Sequence, residues 1–135
     1  MNINLLISKA HSGMAMLLVL VAFMSLALAV KAVASSGQQS LKAANAVGLI
    51  ETIVAGLVTL TGIVAIFITA WPLSQIWIWA GLVIMVIYSI FLKRLTKPAR
   101  LAVAEGGSAG KWAGFQVAHV VLLVVGFALM RFKPF

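Results

Sequence analysis

The chain has 135 residues, of which 64% are hydrophobic and 9% charged, with a formal net charge of +8 and no cysteine. Soluble domains average roughly 45–50% apolar and 25% charged residues, so with a mean hydropathy of +1.18 the expected solvent is lipid. The lack of cysteine excludes disulfides, thiolate nucleophiles, iron–sulfur clusters and thiolate zinc sites. The basic residues flank apolar spans instead of forming a soluble face, which argues against nucleic-acid binding.

Four apolar stretches, residues 13–30, 46–70, 73–92 and 112–130, fill most of the chain. Each approaches the 17–25 residues a helix needs to cross a bilayer's hydrocarbon core. They predict a single domain over 1–135, an all-α integral membrane bundle of four transmembrane helices.

The first span follows Lys9 and opens at His11-Ser12-Gly13. Ala32-Val33-Ala34 before Ser35 mimics a signal-peptide cleavage site, but the apolar run exceeds the usual 7–15-residue core of such peptides. A retained span is expected, followed by a short polar loop at residues 35–40. Trp71-Pro72 forces a tight connection between the second and third spans. Beyond Lys93-Arg94, residues 95–104 read as an amphipathic helix lying on the inner surface. Residues 106–110, Gly-Gly-Ser-Ala-Gly, read as a flexible hinge before the fourth span. Trp71, Trp77 and Trp79 are expected at the outer interface and Trp112 at the inner one.

Charge placement sets the predicted orientation. The basic loop between spans three and four carries Lys93, Arg94, Lys97, Arg100 and Lys111, and Lys31 and Lys42 flank the first loop. Lys9, Arg131 and Lys133 lie near the termini, so seven basic residues face three across the membrane. The positive-inside rule puts the two basic connections in the cytoplasm and both termini outside, in a bacterial-type inner membrane.

Small residues mark the expected packing faces, because close approach drives helix association in lipid. They are Ala15, Ala22, Ser25 and Ala29 on the first span, and Gly48, Thr52, Ala55, Thr59 and Gly62 on the second. Gly114 and Ala118 form a small-xxx-small pair on the fourth.

Glu51 is the only acid inside a span, and ionisable groups at that depth are functional candidates by default. At 1.5 Å per residue it lies roughly 8–9 Å from the inner end of its span, with Tyr88 and His119 at about 9–10 Å from theirs. Gln116 and Ser25 fall near the same layer. A buried polar cluster of Glu51, Tyr88, His119 and Gln116 is therefore expected, with Glu51 and His119 in mutual contact. It would serve either as a register-fixing pair or as a proton relay.

His11 shares a helical face with Ala15, Ala22 and Ser25. His11 and His119 are the candidate haem ligands, yet they differ in predicted depth by roughly 10–18 Å, too far to share one iron. Two histidines and one intramembrane carboxylate give no HExxH-like metal spacing. No nucleophile elbow or Walker pattern occurs.

His11-Ser12-Gly13 opening the first span, Lys93-Arg94 ending the third and the terminal Pro134-Phe135 resemble a group of small four-helix bacterial membrane proteins. These cytochrome-b-like proteins are largely without assigned function. The resemblance implies a four-helix fold and a haem-b role for His11. The arginine and aromatic usual after that histidine are here Met14 and Ala15.

Abundant packing surface and few reactive side chains predict a non-catalytic accessory or structural subunit without a cofactor. Its partners would be the lipid bilayer and other integral membrane subunits, respiratory or electron-transfer ones among them, or a second copy. The alternatives are a haem-b electron carrier using His11 or His119, and a small proton-coupled transporter centred on Glu51.

Overall fold

The computed structural model describes residues 2–35, 41–69 and 72–132. Residues 36–40 of the expected loop, Trp71, Lys133 and Pro134-Phe135 lie outside that set. The described residues form α1 (Ile3–Ala34), α2 (Lys42–Ile68), α3 (Ile76–Phe91), a π-helical turn (Leu92–Thr96), α4 (Lys97–Ala104) and α5 (Ala109–Phe132). Residues 76–104 run as one continuous helix. Four helices are thus long and apolar enough to cross a membrane, the pattern of a multi-pass membrane protein.

α1 begins ten residues before the expected start at Gly13. Asn2 caps it, its side chain accepting a hydrogen bond from the Asn4 amide at 2.9 Å, and no proline interrupts it before Ser35. With 32 residues it is about 48 Å long, well beyond a ~30 Å hydrocarbon core. α2 carries Thr52, Thr59 and Thr61 and is capped by Thr69, whose hydroxyls donate back to the carbonyls of Gly48, Ala55, Leu57 and Ala65. Each is satisfied by its own helix, which makes a hydroxyl tolerable in an apolar setting.

The segment expected as a separate surface helix instead continues α3. Pro98 explains how. A proline inside a regular helix lacks an N–H and crowds the carbonyl four residues before it, here Arg94. The π turn immediately upstream loosens the ladder at that point, so the helix continues with Pro98 in the first turn of α4.

The expected hinge is also more ordered than its glycines imply. α4 ends in a Schellman cap, in which the Gly107 amide donates to the Ala102 carbonyl at 2.7 Å and the Gly106 amide to Val103 at 3.1 Å. Gly106 supplies the left-handed φ of 93° that this cap requires. Ser108 then accepts from the Gly110 amide at 3.2 Å and starts α5.

α1 packs between α2 and α5, and α3 closes the bundle against α5 and α2. Two apolar clusters fill the interior. One comprises Leu18, Val54, Ala55, Val58, Tyr88 and Leu92, flanked by Met14, Met85, Leu122 and Leu123. The other, nearer the end bearing the exposed Lys31, Lys42, Lys93 and Lys111, comprises Ala29, Ala32, Leu41, Ala44, Ala99 and Trp112. Trp112 and Trp77 are both buried in the bundle, whereas Trp79 is exposed.

Of the expected packing faces, Gly48 and Ala55 on α2 and Ala22, Ser25 and Ala29 on α1 are buried. Gly114 on α5 faces open space. The buried stripe of that helix is Trp112, Gln116 and His119, whose bulk moves Gly114 to the outside.

Candidate functional site: a buried polar layer

Between the two apolar clusters lies a layer of polar side chains drawn from every long helix. Ser25, Glu51, Thr96, Gln116 and His119 are all buried, and Tyr88 joins them from the edge of the apolar cluster. α2 starts four residues earlier than expected, so Glu51 lies about 14 Å along the helix from its first residue, farther than the sequence spacing implied.

Glu51 is the centre of the layer. Its Oε1 accepts from the Tyr88 hydroxyl at 2.6 Å and its Oε2 from the Ser25 hydroxyl at 3.1 Å. The short first bond is the kind a carboxylate makes with an O–H donor. The Gln116 amide stands close to the same carboxyl, and Arg100 attracts it from the basic end. Three neighbouring helices thereby converge on one carboxyl group.

His119 stands on the other side of Tyr88. Its ring packs edge-on against the Tyr88 ring, centroids 4.5 Å apart, and against Phe91 at 5.9 Å. Its Nε2 pairs with the Thr96 hydroxyl at 2.7 Å. Glu51, Tyr88, His119 and Gln116 thus meet in one layer, with one difference from expectation. Glu51 and His119 are not directly paired; Tyr88 stands between them and Thr96 takes the imidazole nitrogen. The sequence reading missed Thr96 because it lay beyond the expected end of the third span.

Arg100 is the larger departure. It was assigned to the inner-surface basic loop with Lys93, Arg94, Lys97 and Lys111, and those four are exposed. Arg100 is only 6% exposed, and its Nε donates to Asn45 Oδ1 at 2.9 Å. Its guanidinium lies over Gly48, where an added Cβ would fall 2.6 Å from Cζ. Glycine at 48 is what lets a cation reach this depth.

The π turn explains why Thr96 and Arg100 face inward. In a regular helix each four-residue step overshoots a full turn by about 40°. Tyr88, Leu92, Thr96 and Arg100 would then drift around the helix and scatter. The under-wound turn at Leu92–Thr96 absorbs the drift, and all four are buried. Pro98 is the sequence signal from which this turn is legible.

His11 occupies a second polar locus. Its Nδ1 lies 3.1 Å from Thr61 Oγ1, and the Thr61 hydroxyl donates to Leu57 at 2.8 Å. With that proton committed, Thr61 accepts and His11 donates from Nδ1. The ring packs over Gly62, where a Cβ would stand 3.1 Å from Cε1. Leu18, Val54 and Val58 fill the space between this pair and the Glu51 layer. His11 precedes Ser25 by fourteen residues, about 21 Å along α1. Since Ser25 bonds Glu51, His11 and His119 do not fit a shared haem iron. No group of three or more His, Cys, Asp or Glu side chains with metal-binding geometry occurs among the described residues.

Comparison of the chain with protein-family models, with curated proteins and with solved structures gives no match.

Proposed function

We propose that the chain is a four-pass protein of a bacterial-type inner membrane, with its basic connections in the cytoplasm and both termini outside. In this membrane Glu51 takes up and releases protons. The observation that carries the reading is a fully buried carboxyl group held by Tyr88 and Ser25, with Arg100 drawing on it as a cation. An ionisable group at membrane depth costs several kcal/mol, whereas neutral side chains would fix helix register at less cost.

The layout around Glu51 supports the same reading. Toward the basic end it adjoins further polar groups, and toward the far end the Leu18–Val54–Val58 cluster separates it from His11 by a dry stretch. A proton site with one wet side and one gated side is the minimum that coupled transport needs. Four helices barely enclose a pathway, so pairing with a second copy belongs to the proposal.

Reconstitution into proteoliposomes with a pH-sensitive dye inside tests it. Proton flux is expected for the native chain and near-background flux for Glu51→Gln with the fold retained. Equal flux for the two would overturn the reading. That outcome would favour the second one, an accessory subunit docked in a larger membrane assembly. The observation behind the second reading is an apolar groove of about 480 Å³ between α1 and α5, lined by Met16, Phe23, Leu123 and Phe127 among others.

A further inference from the structure

We propose that the α5 face formed by Trp112, Gln116 and His119 binds a file of internal water molecules that wets Glu51 from the basic end of the bundle. The inference rests on the proton reading for its purpose but not for its observations. Four polar atoms on this face make no hydrogen bond of normal geometry within the described residues: Trp112 Nε1, Gln116 Nε2 and Oε1, and His119 Nδ1, although the Gln116 amide stands close to the Glu51 carboxyl. Their residues are 1%, 0% and 0% exposed. Buried polar groups in proteins are paired with few exceptions, and orphaned ones point to bound water or another polar ligand.

The spacing turns four orphans into one site. Residues 112, 116 and 119 recur at four- and three-residue intervals, so they lie on one helical face. The face is about 10 Å long at 1.5 Å per residue, the length of a short chain of hydrogen-bonded waters, which side chains packed against it would part to admit. Trp112 offers a donor and Gln116 a donor and an acceptor. His119 Nδ1 is a donor when Nε2 accepts the Thr96 hydroxyl proton. That mixture gives the waters donors and acceptors along the face, and bonds between neighbouring waters supply the rest of what a buried water needs. Gln116 also lies within reach of the Glu51 carboxylate, which joins the file to the proton site.

The two ends of the face differ. Trp112 sits in the first turn of α5, where backbone N–H groups have no helical acceptor. Beside it are the exposed Lys111 and the Glu105–Ser108 turn, so that end meets solvent. At the other end, Leu122, Leu123 and Leu18 close the space with apolar side chains. Water therefore enters from the basic end and stops at His119. A larger lipid-borne carbonyl compound is disfavoured, because Ala29, Ala32, Ala44 and Ala99 close around Trp112 from the neighbouring helices.

Water-to-protein polarisation transfer in solid-state NMR of the full chain in bilayers tests the file. Transfer is expected at the Trp112 indole N–H, the Gln116 amide and the His119 ring, and none at the methyls of Leu18 and Val58. In Gln116→Leu, transfer to His119 is expected to be lost while transfer to Trp112 remains. Absence of transfer at Gln116 and His119 in the native chain would overturn the proposal, even if Glu51→Gln abolished proton flux. Transfer at all three groups with flux unaffected by Glu51→Gln would support the water file and reject the proton reading.

Discussion

At the scale of single residues, the interior is governed by which polar atoms find partners. Glu51 keeps its place because two hydroxyls meet its two oxygens. His119 keeps its place because Thr96 meets one nitrogen and Tyr88 packs on the ring. The 2.7 Å Thr96 contact has a measurable share in this. Replacing the hydroxyl with a methyl of similar volume strips a buried imidazole nitrogen of its partner, a loss of about 1–3 kcal/mol. Thr96→Val is expected to lower the thermal midpoint in detergent. A midpoint equal to that of the native chain would mean that the pair does not form.

Arg100 teaches a related lesson. Sequence position placed it with the flanking cations, but Gly48 opens a gap on α2 and Asn45 supplies an acceptor. Neither residue signals this alone, since a cation's partner is a property of the packed pair of helices. Glu51, Tyr88, Gln116 and His119 were legible for the opposite reason. Their depths follow from counting 1.5 Å per residue along apolar runs, and helix geometry does the rest.

At the scale of elements, apolar length identified four spans, and their cores match the four helices. The boundaries differ where local chemistry overrides hydropathy. α1 runs back through Ser8, Lys9 and His11 because nothing there breaks a helix. α3 runs on through Leu92–Thr96 because a π turn accommodates Pro98. The glycines after α4 make a Schellman cap, a role that depends on hydrogen bonds from Gly106 and Gly107 and is invisible to composition. A left-handed residue with a side chain costs roughly 1–2 kcal/mol. Gly106→Ala, at φ 93°, is therefore expected to destabilise the chain by about that amount in detergent unfolding. No change would show that residues 105–108 adopt another turn.

At the scale of the whole molecule, basic charge, helix length and polar depth agree with one another. In the proposed orientation the exposed Lys31, Lys42, Lys93, Arg94, Lys97 and Lys111 meet the cytoplasmic headgroups. Lys9 and Arg131 then lie outside. Moving Arg100 into the interior reduces the inner count but leaves its excess. The Glu51 layer then sits in the cytoplasmic leaflet, with its water supply on that side and the apolar cluster toward the periplasm. Cysteines introduced in place of Lys9 and Lys97, in a chain with none of its own, report the orientation when intact cells are treated with an impermeant maleimide. Labelling is expected at position 9 only, and labelling at 97 would invert the orientation.

The contact on which the account turns is the one between Glu51 and Tyr88, and the chain offers a clean view of it. Tyr88 is its single tyrosine. With tyrosine and glutamate carbon-labelled and the protein in bilayers, magic-angle-spinning NMR should give a strong short-range cross peak between the Tyr88 ring and the Glu51 carboxyl carbon. A 2.6 Å hydrogen bond requires it. A Tyr88 ring with no glutamate carbon nearby would contradict the polar layer and everything built on it.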